Sequence, residues 1–324
     1  MNPRVAIDVH LTSAEWKRTL VTGALRSLSS NPPYLDPVWF YDARGSELFD
    51  EITRLPEYYP TRAERALLEL HAPLLAATGA SSLVELGSGT SDKTTVLLDA
   101  LTQAAAFTTY VPFDVSEETL RIAAERLALT FPRLCVHGVV GDFHHHLAEI
   151  PAAKGRLVAF LGSTIGNLNP AERRRFFADL DCALDRSDLL LLGIDLIKDR
   201  DRLIAAYNDS AGVTAEFNRN ALRVLNATIG SDFSATDFEH VAVWDETHSW
   251  IEMRLRASGT QRVNIPGLGE PLVIADGDEL RTEISTKFTV ETMTEELWNS
   301  GFVVEQSLPD AAGDFALLLA RPYC

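Results

Sequence analysis

The sequence predicts an α/β fold: a mainly parallel sheet with helices on both faces and an antiparallel C-terminal hairpin strand, plus a second, smaller α+β lobe. Three observations predict it. Short apolar runs alternate with amphipathic, helix-length segments from residue 83 to residue 196, which is the pattern of repeated strand–helix–strand units. A run such as LLLLGI has no polar face, as expected of a strand buried on both sides. Two stretches, 1–61 and 198–286, break the alternation, and the second is far too long for a plain connecting loop.

The elements follow in order. LVELG (83–87) reads as the first strand and DKTTVLLDALTQAA as its helix. TTYVPFDV (108–115) is the second strand. The helix SEETLRIAAERLALTF follows, with Ser116 as cap and Glu117 and Glu118 in its first turn. CVHGVVGDF (135–143), RLVAFLG (156–162) and DLLLLGIDL (188–196) are three further strands. AERRRFFADLDCALD (171–185) is the helix between the last two, started by Asn169-Pro170. Its three arginines are expected on a solvated face. Near the C-terminus, VETMTEELWNSG is a helix, and FVVEQSL and FALLLA form a hairpin around PDAAGD. The expected division is 62–197 with 287–324 as a ligand-binding sheet domain, and 1–61 with 198–286 as a substrate-binding lobe.

Composition narrows the partners. The chain has 324 residues and a net charge of −17, which disfavours nucleic acid and anionic membranes. No apolar run reaches the roughly 18 residues of a membrane helix, and MNPRVAIDVHLTSAEWKR lacks the apolar core of a signal peptide. The cysteines Cys135, Cys182 and Cys324 are sparse and odd in number, which suits a reducing cytoplasm and neither a disulfide framework nor a zinc site. His144-His145-His146 is expected to be a solvated turn, and no metal is expected.

The chemistry starts at VELGSGTSDKT (84–94), which has the first two glycines of G-x-G-x-x-G but Asp92 in the third slot. A dinucleotide site would hold pyrophosphate at that helix start, where a carboxylate repels it. At the ends of successive strands stand Asp114, suited to ribose hydroxyls, and Asp142-Phe143, suited to an adenine. An adenosine without phosphate and with a positive charge fits this set, so S-adenosylmethionine is preferred to NAD. After the fourth strand, FLGSTIGNLNP offers Ser163, Thr164 and Asn167 toward the reacting end of such a ligand. Glu283 and Ser285 of TEIS share one strand face and can grip two ring nitrogens.

WFYDARGSELFDEITRLPEYYPTRAE (39–64), LVELGSGTSDKT, GDF, FLGSTIGNL, DSAGVTAEFNRN (209–220) and LRTEISTKF (280–288) occur in this order. Together they resemble the histidine-specific S-adenosylmethionine methyltransferases, from about residue 38 to the C-terminus. The resemblance implies a Rossmann-like class I methyltransferase domain, a lobe that closes over histidine, and trimethylation of the α-nitrogen of L-histidine to hercynine in ergothioneine biosynthesis. It further implies that Gly87, Lys93, Asp114, Asp142 and Phe143 contact S-adenosylmethionine. Tyr58, Asn167 and Tyr207 would contact histidine, with Glu283 and Ser285 on its imidazole, Tyr41 and the backbone of Gly162 near its amine, and Met253 lining the pocket. Tyr41 and Asn167 are the expected catalytic residues, with Tyr41 assisting as an acceptor. A monomer is expected. The alternatives are another L-amino acid such as tryptophan, an already methylated histidine, an NAD(P)-dependent oxidoreductase, and a sensor that binds without chemistry.

Overall fold

The computed structural model describes residues 4–89, 91 and 93–323. Asp92 and Cys324 therefore lie outside the described residues. Strand β1 (Val5–Val9) precedes helices α1 (Ser13–Leu28), α2 (Ala43–Arg54) and α3 (Pro60–Ala76). The alternation follows as β2 (Ser82–Leu86), α4 (Thr94–Leu101), β3 (Thr109–Asp114), α5 (Glu117–Thr130), β4 (Cys135–Val140), β5 (Arg156–Phe160), α6 (Pro170–Ala183) and β6 (Leu189–Asp195). Then come α7 (Arg200–Tyr207), α8 (Val213–Ile229), β7 (Phe238–Asp245), β8 (Trp250–Ala257), β9 (Gln261–Val263), β10 (Leu272–Ile274) and β11 (Glu279–Thr286). Helix α9 (Val290–Trp298) leads to the hairpin β12 (Phe302–Pro309) and β13 (Phe315–Pro322). None of the described helices is long and apolar enough to cross a membrane.

The chain divides into two compact units. The first holds Met1–Thr12, Pro60–Leu196 and Phe288–Cys324; the second holds Ser13–Tyr59 and Ile197–Lys287. The expected placement of residues 1–61 in the second lobe is corrected at its start. VAIDV forms β1, which pairs in parallel with β4 at the sheet edge. This strand is short and half-exposed, and its partner β4 is remote in sequence.

The first unit is built on one sheet of strand order β1-β4-β3-β2-β5-β6-β13-β12. Strands β1 to β6 pair in parallel, and β13 runs antiparallel to β6. This is the Rossmann-like arrangement with a reversed C-terminal hairpin that the sequence predicts. Alternate residues feed opposite cores. Val84 and Leu86 pack on one side with Phe176 and Phe177 of α6 and Met293 and Leu297 of α9. Leu83 packs on the other side with Leu67 of α3, Leu97 of α4 and Leu127 of α5. The arginine stretch of α6 is also corrected. Arg173 is 4% exposed, clasps Glu296 at 2.8 Å through two nitrogens and lies over the Phe288 ring.

The second unit has its own core. Helix α8 buries the stripe Phe217, Asn218, Ala221, Leu222 and Leu225 against an antiparallel sheet of order β11-β8-β7. Asp209 caps α8, its carboxylate accepting from Val213 N at 3.0 Å and Thr214 N at 2.7 Å.

A buried polar network seats the glycine loop after β2. Glu85 on β2, 5% exposed, accepts from Thr94 Oγ1 at 2.5 Å and from the Tyr110 hydroxyl. Tyr110 in turn bonds Ser91 Oγ at 2.8 Å. Burial pushes the Glu85 carboxyl up to about 7, against its hydrogen bonds and the nearby Lys93 charge. A carboxyl raised above its unfolded value stabilises most below that value, and this stabilisation is lost as pH rises through the folded pKa. We therefore expect Glu85→Gln to be least favourable relative to wild type near pH 4.5 and to gain by about 3 kcal/mol as pH rises past about 7. Urea unfolding of both proteins across that range measures it. A difference independent of pH would contradict the assignment.

Candidate active site

The expected site residues fall into two groups, one in each unit. In the first unit they stand at the carboxyl ends of β2, β3, β4 and β5. This is where open α/β sheets bind ligands. The loop after β2 turns through Gly87 and Gly89, at φ of +68° and +49°, conformations in which a side chain is strained. Among the described residues, an added Cβ at either would meet nothing within 4 Å.

Asp114 ends β3 and ties this loop down. Its carboxylate accepts from Gly89 N at 2.9 Å and from Ser116 N at 3.0 Å. Burial holds its pKa above the ordinary carboxylate value, and the amide hydrogen bonds oppose the shift. A carboxylate has about four acceptor sites, so two amides leave capacity for ribose hydroxyls. Asp142, 7% exposed, follows β4 and accepts from His144 N at 2.9 Å. The Asp142 carbonyl accepts from the amides of His145 and His146. The three histidines thus form a turn built on Asp142. Among the described residues, no cluster of three or more His, Cys, Asp or Glu is gathered for a metal ion. Phe143 stands edge-on to Phe160 and Phe176, at 5.4 and 5.9 Å between ring centroids.

After β5, Gly162 is exposed and Asn167 half-buried at the end of a short 3-10 turn. Lys93 and Gly162 share a partner that sequence reasoning missed. Glu64 on α3 accepts from Lys93 Nζ at 2.7 Å and from Gly162 N at 2.5 Å. The donor set of this unit is two carboxylates at strand ends, one ammonium, backbone amides and an aromatic ring. It fits a ligand with hydroxyls, an amine and a carboxylate.

In the second unit, Glu283 and Ser285 lie on β11. The register sets Glu283 opposite Met253 and Ser285 opposite Ile251, both on the apolar face of β8. Leu280 shares that face opposite Leu255. Strict alternation from Leu280 would send Glu283 and Ser285 to the other side. A bulge between Arg281 and Glu283 inserts Thr282 and reverses the phase. Thr282 is fully buried, and its hydroxyl reaches Asn218 Oδ1 at 2.6 Å and Met253 O at 3.0 Å. The Asn218 amide nitrogen bonds His240 Nδ1 at 2.8 Å and Arg254 O at 3.0 Å. His240 Nε2 reaches Tyr207 O at 2.8 Å. Burial holds the His240 pKa below its ordinary value. The neutral ring therefore accepts at Nδ1 and donates at Nε2, which fixes its tautomer.

This chain of bonds ends at a second cluster. The Tyr207 hydroxyl and Ser285 Oγ are 2.8 Å apart, and buried Lys287 Nζ is 2.8 Å from both. Lys287 was not anticipated, although the alternation 283, 285, 287 carries the signal. Tyr58 stands edge-on to Tyr207 at 6.3 Å, and Tyr41 edge-on to Phe217 at 5.7 Å. The Tyr41 hydroxyl is held above the ordinary phenol range by burial, then by the charges of Glu283 and Tyr207. The residue as a whole is 54% exposed, so solvent screens this shift. Both neighbours push in the same direction.

The family described as histidine-specific, S-adenosylmethionine-dependent methyltransferases matches residues 20–322. A histidine N-alpha-methyltransferase of Mycolicibacterium smegmatis is 49% identical over 294 residues, covering 90% of this chain and 92% of its own. Its counterpart in Mycobacterium tuberculosis is 45% identical over 318 residues, covering 98% and 99%. Ergothioneine biosynthesis protein 1 of Neurospora crassa is 30% identical over 328 residues, covering 98% of this chain but 36% of the larger protein. With this match spanning both units, the chain belongs to the histidine-specific, S-adenosylmethionine-dependent methyltransferases.

Proposed function

We propose that this chain methylates the α-nitrogen of L-histidine three times, giving hercynine at the start of ergothioneine biosynthesis. The observation that carries this reading is the β11 face, where a carboxylate and a hydroxyl two residues apart stand beside Met253. Glu283 accepts one imidazole N–H. Lys287 donates into the hydroxyls of Tyr207 and Ser285, which favours Ser285 as a donor to the ring nitrogen that carries no proton. The indole of tryptophan offers one N–H and no second acceptor, so this pair suits it less well.

S-adenosylmethionine, when bound, supplies a methyl group already activated by its positive sulfur. Asp114 is assigned to its ribose hydroxyls, Asp142 and Phe143 to its adenine, and Gly87 and Lys93 to its amino-acid end. Tyr58, Asn167 and Tyr207 are assigned to the histidine carboxylate. The amide of Gly162 is taken by Glu64, so the backbone group it can offer the amine is its carbonyl oxygen. The protein's contribution to rate is orientation of a neutral amine. Its proton leaves to solvent or along a hydrogen-bonded path. Tyr41, kept as a neutral phenol, can orient the amine through its oxygen but is a poor proton acceptor. The pH profile of a Tyr41→Phe variant separates an accepting role for Tyr41 from an orienting one.

Three outcomes are expected. With S-adenosylmethionine and a panel of amino acids, mass spectrometry should find histidine, and not tryptophan, carrying one, two and three added methyl groups. Glu283→Gln should raise the histidine KM by about 10- to 100-fold, the cost of a charge-assisted hydrogen bond. An unchanged histidine KM in that variant would remove the imidazole assignment. Tyr41→Phe should lower each methylation rate by a constant factor between about pH 7 and pH 10. Loss of a limb of the pH profile would show instead that Tyr41 ionises in turnover.

A further inference from the structure

We propose that Glu64 is a positioning residue for the methyl donor: it fixes Lys93 to recognise the carboxylate at the donor's amino-acid end. The inference rests on the reading that the first unit binds S-adenosylmethionine.

Glu64 is buried within α3, its side chain 1% exposed, while Lys93 is 33% exposed. A buried carboxylate needs pairing and hydrogen bonds to both oxygens, and Glu64 has them. Lys93 Nζ lies 2.7 Å from Oε2, and Gly162 N donates to Oε1 at 2.5 Å. Lys93 closes the glycine loop after β2, and Gly162 follows β5. Strands β2 and β5 are paired neighbours. One carboxylate therefore ties together two loops at adjacent strand ends.

The sheet makes room for it. Gly193 sits inside β6, a fully buried strand, where glycine weakens packing and often marks a close approach. A Cβ on Gly193 would lie 2.4 Å from Glu64 Oε1. The glycine is thus required by the carboxylate.

An ammonium has three donors. Glu64 takes one from below, and the exposed side of Lys93 can turn the others to an anion. Lysine has a long flexible stem, so without Glu64 its ammonium has no fixed direction. An α-amino acid carboxylate is the ligand chemistry that matches.

The test is calorimetric titration of S-adenosylhomocysteine, and separately methylthioadenosine, which lacks the amino-acid end. Glu64→Gln should weaken S-adenosylhomocysteine by about 10-fold or more and leave methylthioadenosine within about twofold. Lys93→Met should do the same, and the double variant should be no weaker than the weaker single. Glu64→Gln should also lower the ligand-free melting temperature, because the buried carboxylate holds Gly162 N as well as Lys93, so both ligands are titrated well below the melting temperature of each variant. Glu64→Asp should recover part of the loss. The inference is overturned if Glu64→Gln binds S-adenosylhomocysteine normally, if both ligands weaken together, or if the two single effects add. Gly193→Ala crowds Oε1 without removing the charge and should weaken S-adenosylhomocysteine selectively. If Glu64→Gln does not fold, normal binding by Gly193→Ala overturns the inference. Wild type that binds neither ligand would overturn the underlying reading instead.

Discussion

The register of β11 on β8 steps over Thr282, and the chemistry of the second unit depends on that step. Side chains alternate along a strand, so one extra residue reverses every position beyond it. Glu279 and Arg281 remain with the charged face, where Glu279 pairs with Arg254 and Arg256. Glu283 and Ser285 move to the face of Met253 and Ile251. The inserted residue carries its own anchors: the Thr282 hydroxyl bonds Asn218, Asn218 bonds His240, and His240 bonds the backbone of Tyr207. All are hydrogen bonds with buried or half-buried members, where a lost partner costs more than in water. The same set therefore fixes the strand phase and the place of Tyr207.

A parallel logic governs the first unit. Acidic groups beneath and beside the glycine loop are each committed to the protein: Glu85 to Thr94 and Tyr110, Asp114 to two amides, Glu64 to Lys93 and Gly162. They tie described residues of the loop to the strand ends beside it. Preorganisation of this kind lowers the cost of ordering on binding.

Much of the first unit was legible because β2 to β6 are buried and read as unbroken apolar runs. Strand β1 was not, since VAIDV is a half-exposed edge strand whose neighbour is remote in sequence. The shared face of Glu283 and Ser285 was legible from alternation. Which face it is was not, because the phase is set by Thr282 and Asn218, 64 residues apart. Glu64 reads as an ordinary helix carboxylate, and Arg173 as a solvated one of three arginines. In both cases burial is decided by tertiary partners. The glycine inside LLLLGID was the available clue to Glu64, and the continued alternation to Lys287.

If histidine sits on β11 as proposed, the bulge is what aims Glu283 and Ser285 at its imidazole. Calorimetric titration of histidine into Thr282→Val, with S-adenosylhomocysteine present, tests it most directly. Valine keeps the shape but removes the hydroxyl that anchors the bulge. Histidine affinity is expected to fall by about 10-fold or more while S-adenosylhomocysteine affinity holds. Histidine affinity equal to wild type in a folded Thr282→Val protein would contradict it.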